Sequence, residues 1–294
     1  MSAHRVRVPL RVPLAGQAFR EATLVEGPVG WGEFSPLPGY PCDPARCEEA
    51  AQEAAFVGWP AAVRTKVAVN ALVPAVDPRT AGELAAEAAA TGVTTLKVKV
   101  GGGSLSEDAD RVSAVRDAVG PGGRIRLDAN GAWDVDTAVA AIERLAGFDL
   151  ELVEQPVADL EDLARVRRRV AVPVAADESV RSLVDARRLA VLDAADAVVV
   201  KVQPLGGVRA ALQVIEAAGV PAIVSSLYET SIGLAAGVAL AAALPELPYA
   251  CGLGTGVLLL GDVVADPLIP RGGVLAVRRL EPDAALLARW GIEP

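Results

Sequence analysis

From Lys66 onward the chain alternates short apolar runs with amphipathic, alanine-rich stretches. The runs Val67–Pro74, Thr94–Val100, Arg124–Ala129, Leu150–Glu154, Val172–Asp177, Ala197–Val202, Ala222–Ser226 and Tyr249–Leu253 predict eight strands. Between them, apolar residues recur every three to four positions near Thr80–Ala90, Ser106–Val119, Val135–Ala146, Asp159–Arg169, Ser182–Leu192, Val208–Ala218 and Ser231–Ala243, which predicts seven helices. Strict alternation implies parallel strands joined by right-handed crossovers. Pro173, Pro221 and Pro248 stand just before strands, where no helix continues through them. An open doubly wound sheet would begin on Gly-x-Gly-x-x-Gly, which the first unit lacks. The predicted fold is therefore α/β: a (β/α)7β TIM-like barrel over residues 66–264.

Residues 1–65 read differently. Two β-like stretches, Arg5–Leu10 and Ala22–Val29, precede a segment rich in Gly and Pro, Gly30–Tyr40, and a helix near Pro44–Phe56. The pattern predicts a separate N-terminal α+β unit over 1–65. A strand-like run, Gly273–Val277, and a helix near Asp283–Trp290 fall in the tail 265–294, which either completes that unit or covers the bottom of the barrel.

Composition narrows the chemistry. The 294 residues suit a barrel of roughly 200 to 250 residues with an appendage. Although 52% of residues are hydrophobic, Gly, Pro or a charge interrupts every stretch before the roughly 18 apolar residues of a membrane span. No secretion signal is recognisable at the N-terminus, so a cytoplasmic protein is expected. A net charge of -9 argues against nucleic acid as partner and leaves a small molecule as the default ligand. Cys42, Cys47 and Cys251 fit no metal-ligand spacing and read as reduced thiols. The single histidine, His4, cannot supply a Ser-His-Asp system or a His-ligated zinc site, so acid–base work falls to Lys, Asp, Glu, Tyr or Cys. Oligomeric state has no signal in the sequence.

Barrel enzymes take their catalytic side chains from the C-terminal ends of strands. Here those ends carry Lys97 and Lys99, then Asp128 with Asn130, then Glu154, Asp177 and Lys201. Alternation along a strand puts Lys97 and Lys99 on one inward face, and Arg126 on the same face as Asp128. One charged residue at a strand end is ordinary. On five successive strands, with helices outside and packing inside, unpaired charge is costly on either face. Three carboxylates converging from neighbouring strands suit a hard cation such as magnesium, with manganese an alternative. A lysine beside such a cation can move a proton next to a carboxylate, because the metal offsets the second negative charge of the product. Neutral Lys99 is the expected base, its pKa lowered by Lys97, the metal and the low-dielectric interior. Glu178 is expected to point away from the site as a helix-start acid. Tyr228 and the loops Leu14–Phe19 and Ser35–Tyr40 are expected lids over a small carboxylate substrate.

With these residues placed, the sequence resembles the enolase superfamily, specifically its muconate-cycloisomerase-like subgroup, whose use of a Lys base with magnesium is an established pattern. The family pattern of Lys-x-Lys, Asp, Glu, Asp and Lys falls on Lys97, Lys99, Asp128, Glu154, Asp177 and Lys201. Gly30-Trp31-Gly32-Glu33-Phe34-Ser35-Pro36 resembles the strand-to-loop signature of the family's capping domain, and that resemblance makes residues 1–65 an N-terminal α+β capping domain. The resemblance implies Lys99 as the proton-transferring base, Lys201 as the charge opposite it, and Asp128, Glu154 and Asp177 as metal ligands. It also implies substrate or supporting roles for Lys97, Ser225, Ser226, Gly252 and Gly254; Arg126 reads equally as a contact to substrate or a ligand carboxylate and as a structural counter-ion to the carboxylates, and Asn130 as a partner that orients a ligand or as a loop residue.

The subgroup's dipeptide epimerases usually carry Asp-x-Asp on the eighth strand, where this chain has Gly252-Leu253-Gly254. The implied reaction is syn elimination of water from a cyclohexadiene carboxylate bearing a succinyl arm. N-succinylamino acid racemisation, dipeptide epimerisation and muconate cycloisomerisation stand as alternatives within the subgroup. A Schiff-base aldolase using Lys99 or Lys201, with Ser225 and Ser226 binding phosphate, is the alternative from another class.

Overall fold

The structure, a computed structural model, describes residues 2–14 and 16–293. Three antiparallel strands open the chain, β1 (Ala3–Leu14), β2 (Gln17–Glu26) and β3 (Trp31–Phe34), followed by α1 (Pro44–Gln52). Then come β4 (Lys66–Ala68), β5 (Ala71–Val73), α2 (Pro78–Ala90), β6 (Thr95–Lys99), α3 (Leu105–Val119), β7 (Arg124–Asp128), α4 (Val135–Leu145) and β8 (Leu150–Glu154). The second half adds α5 (Leu160–Arg167), β9 (Val174–Ala176), α6 (Leu183–Leu192), β10 (Ala197–Lys201), α7 (Val202–Leu205), α8 (Val208–Ala218), β11 (Ala222–Ser225) and α9 (Ser231–Ala243). The tail carries β12 (Val274–Ala276) and α10 (Ala284–Trp290). Among the described residues no helix is long and apolar enough to cross a membrane.

Strands β5 to β11 form one curled parallel sheet in sequence order, with α2 to α9 after successive strands. The helix starts are set locally. Asp77, Ser104, Asp134, Asp159, Ser182 and Thr230 each accept a backbone N–H of the following turn, which satisfies donors that have no partner inside the helix. Helix α9 is apolar all round, and most of its residues are buried.

The sheet departs from the expected eight strands at its seam. The run Val67–Pro74 splits: β4 leaves the sheet to pair antiparallel with β12, and only β5 joins the barrel. Tyr249–Leu253, expected as the eighth strand, makes single parallel bridges, Val69 with Cys251 and Ser225 with Gly252. Two positions there have no room for a side chain. A Cβ on Gly252 would lie 2.5 Å from Ser225 Oγ, and one on Gly254 2.9 Å from the Asn70 carbonyl oxygen. The strand expected over Val172–Asp177 shortens to Val174–Ala176, since Pro173 has no N–H to donate, although its carbonyl still accepts from Val153 N at 2.9 Å.

The tail makes contacts in two places. Strand β12 pairs with β4, whereas Trp290 and Leu287 of α10 pack on Val6, Val8 and Leu24 of the capping sheet.

Candidate active site

The strand ends meet in a cavity of about 680 Å³ lined by Lys97, Lys99, Asp128, Asn130, Asp177, Glu178, Lys201, Ser225, Ser226, Gly252 and Gly254, together with Tyr40 and Tyr228. Register explains the convergence. Lys99 lies opposite Asp128 on β6 and β7, and Asp128 lies opposite Glu154 on β7 and β8, so one layer of the barrel carries all three.

Lys97 Nζ bridges Asp128 Oδ2 at 2.9 Å and Glu154 Oε1 at 3.0 Å. Lys99 Nζ donates to Asp128 Oδ2 at 2.7 Å and to Asn130 Oδ1 at 2.6 Å. Lys201 Nζ donates to Asp177 Oδ1 and, at 3.2 Å, to Tyr40 Oη, with the ammonium 4.8 Å from the Tyr40 ring centre.

Carboxylates decide the electrostatics of two of the lysines. Burial alone would lower Lys97, but Asp128, Glu154 and Asp177 outweigh it and hold the group well above the ordinary lysine range. The same balance, led by Asp177, raises Lys201. Both are fixed cations. Glu154 is raised by burial and by the neighbouring charge of Asp128. Burial opposes ionisation of Asp128 too, yet Lys97 and Lys99 overcome it and hold that carboxyl low.

As the side chains stand, the carboxylates are turned toward the lysines, and no three His, Cys, Asp or Glu among the described residues gather on one point as a ligand set. The donor chemistry nonetheless fits a hard divalent cation. Asp128, Glu154 and Asp177 are buried oxygen donors at the ends of three neighbouring strands, and the buried Glu178 Oε2 close by has no hydrogen-bond partner.

Several placements differ from the sequence reading. Arg126 does point inward, but it lies below the cavity: its guanidinium pairs with Glu151, donates to the Ala250 carbonyl at 2.7 Å and sits over the Tyr249 ring. It touches neither the carboxylate cluster nor the cavity, because two residues of β7 span a full layer of the barrel. Glu178 faces the site, where its Oε1 accepts from Asn130 Nδ2 at 2.9 Å. It follows the end of β9, beyond the last ladder bond, where strand alternation no longer governs direction. Of the expected lid Leu14–Phe19, Ala15 lies outside the described residues, and Gln17 and Phe19 line a separate cavity on the capping sheet.

Three residues escaped the sequence reading. Gln155, held at φ +40°, turns Oε1 to accept from Asp177 N at 2.7 Å and Ser179 Oγ at 3.0 Å, and so fixes the start of the Asp177 segment. Tyr40, placed only within a loop, reaches Asp177 Oδ1 at 3.3 Å. Glu33, quoted only as part of a motif, crosses from β3 to accept from Thr230 Oγ1 and from Gly233 N at 2.9 Å, capping α9 from the other domain. No local pattern marks Gln155. Tyr228, named as a lid, lines the cavity at φ +62°, a strained conformation for a bulky residue. Its neighbour Leu227 is pinned by Arg20 and Glu229.

Comparison with known proteins follows this geometry. The family described as enolase C-terminal domain-like matches residues 80–283, and that described as enolase N-terminal domain-like matches residues 5–55. The o-succinylbenzoate synthase of Thermobifida fusca is 57% identical over 297 residues, covering 100% of this chain and 93% of the relative. That of Mycolicibacterium smegmatis is 47% identical over 97% of this chain and 88% of its own length. Among solved structures, a dipeptide epimerase from Enterococcus faecalis V583 superposes with a TM-score of 0.83 at 26% identity, covering 96% of this chain and 97% of the other. A muconate lactonizing enzyme from Pseudomonas fluorescens superposes at 0.87 with 23% identity, covering 99% and 98%, a likeness of fold.

Proposed function

This chain belongs to the enolase superfamily, and from that premise we propose that it is a hydro-lyase with the o-succinylbenzoate synthase activity. It removes water from 2-succinyl-6-hydroxy-2,4-cyclohexadiene-1-carboxylate to give 2-succinylbenzoate, a step toward menaquinone, in the cytoplasm. The observation that carries this reading is the 57% identity to a named synthase along the entire chain.

Members of the superfamily bind a divalent metal, and the oxygen donors Asp128, Glu154 and Asp177 suit magnesium, with manganese as a substitute. When bound, the cation supplies charge that stabilises the enediolate formed as the substrate loses its proton. The protein's own groups do the rest. Lys99 opens to the cavity and has one acid, Asp128, and the neutral Asn130 amide as partners. It takes the proton next to the carboxylate and delivers a proton to the hydroxyl leaving from the same face, which makes the elimination syn. Lys201, kept protonated by Asp177, supplies fixed positive charge from four strands away across the mouth. Tyr40 holds that ammonium and Asp177 together. Ser226 Oγ donates to the Gly252 carbonyl at 2.8 Å, shaping the wall that receives the succinyl arm. No acid stands on the Gly252–Gly254 segment to bind a substrate ammonium, which disfavours dipeptide epimerisation.

Assaying the purified chain with the cyclohexadiene substrate tests this. Turnover is expected with magnesium, loss on chelation and recovery on adding magnesium back. Turnover indifferent to chelation, or dipeptide epimerisation faster than dehydration, would overturn the reading.

A further inference from the structure

Cys42 and Cys47 are brought together by the way α1 begins. Asp43 is the N-cap, accepting from Ala45 N at 3.0 Å, and Pro44 is the first helical residue. Cys42 and Cys47 therefore occupy the residue before the cap and the fourth residue of the helix. In many helices those two positions hold apolar side chains that close over the first turn as a staple. Here two thiols take the place, with their sulfurs 3.2 Å apart in a thiol hydrogen bond, and both are free. A disulfide requires about 2.05 Å, so the sulfurs need to close by only roughly 1.2 Å.

The two thiols are unequal. Cys47 is fully buried, and burial together with Cys42 pushes its thiol far above the ordinary range. Cys42 is half-buried and is the one that solutes can reach. It also lies two residues beyond Tyr40, whose hydroxyl contacts both Asp177 and Lys201. The third cysteine, Cys251, is sealed at the barrel seam, its thiol pushed up to about 12 by burial.

We propose that Cys42 and Cys47 form a reversible disulfide that controls the loop carrying Tyr40. A hydroperoxide oxidises the Cys42 sulfur to the sulfenic acid: a new S–O bond forms, the O–O bond breaks and the alcohol or water leaves. The Cys47 sulfur then attacks the Cys42 sulfur, the S–S bond forms, and the sulfenic oxygen leaves as water with the Cys47 proton. Two thiols are oxidised and one peroxide is reduced. A dithiol reductant reverses the step by exchange. The covalent link ties the Ser35–Cys42 segment to the first turn of α1, so Tyr40 yields less readily when substrate enters and product leaves. Turnover falls as a result.

The test treats the full chain, loaded with magnesium, with hydrogen peroxide, removes the peroxide, unfolds the chain in denaturant, alkylates free thiols and maps peptides by mass. The expected result is loss of two alkylatable thiols, a link between the peptides carrying Cys42 and Cys47, and an intact Cys251. Dehydration is expected to fall at least three-fold and to return with dithiothreitol, whereas Cys42→Ser and Cys47→Ser keep their turnover under peroxide. The inference is overturned if both thiols still alkylate, if the link forms without changing turnover, or if the serine variants lose activity on the parent's time course. Thiol count and peptide mapping are read without any reaction, so failure of the disulfide is distinguishable from failure of the proposed dehydration.

Discussion

Two residues apart on β7, Arg126 and Asp128 sit in the same barrel on terms that could hardly differ more. At the floor, Arg126 is buried opposite Leu152 of β8 and over the Tyr249 ring, and its charge is matched by Glu151 and tied to the Ala250 carbonyl. At the mouth, the carboxylates of Asp128, Glu154 and Asp177 share three ammonium groups around an open cavity, and Glu178 stands beside them without an ammonium partner. Buried charge with one fixed counter-ion holds a structure together. Buried charge with more acids than bases, open to a cavity, is poised to take a cation and to exchange protons.

The sharpest way to break this contrast is at Lys99. Lys99→Ala is expected to lower dehydration about 10³-fold while leaving the urea unfolding midpoint close to the parent's, because its side chain lines the cavity and Lys97 still pairs Asp128. Retained turnover would make the mouth as structural as the floor. Arg126→Met should do the reverse. It removes one partner of a buried ion pair and costs about 3 kcal/mol of stability, with magnesium-dependent turnover per folded molecule little changed. A collapse of turnover at unchanged stability would move Arg126 into the catalytic machinery.

The smallest effect is at the rim, where Glu33 caps α9 across the domain boundary. Burial raises its carboxyl from 4.5 to about 7, against the lowering by Ser35 and Thr230. A raised folded-state value stabilises the protein at low pH: the contribution is complete below about 4.5 and is lost as pH rises through about 7. Relative to Glu33→Gln, the parent should therefore lose about 2 kcal/mol between pH 5 and pH 7 in denaturant titrations. A flat difference across that range would mean that Glu33 is ionised throughout.

Much of the site was legible because strand alternation is a local rule. Lys97, Lys99, Asp128 and Glu154 sit within or at the ends of regular strands, and one layer of the ladder gathers three of them as the pattern implies. Legibility stops where the ladder stops. Asn130, Gln155 and Tyr228 follow strand ends with positive φ, and Glu178 follows the end of β9, so the direction of each is set by loop geometry rather than by a period of two. The seam at Gly252 failed as a strand for a related reason. An apolar run can be read from sequence, but how closely β11 and β5 crowd it cannot.

The sequence by itself determined the alternation of strand and helix, the barrel class, the absence of histidine chemistry and the acids and lysines placed at successive strand ends, since each follows from residue type and short-range periodicity. Only the tertiary structure decided which charge answers which. It sent Arg126 to the floor with Glu151, brought Tyr40 and Glu33 across from the capping domain to Lys201 and α9, and turned Glu178 into the cavity. Those pairings join residues from 25 to more than 190 positions apart. Their partners are chosen by packing and by the cost of leaving a buried charge alone, which no local pattern records.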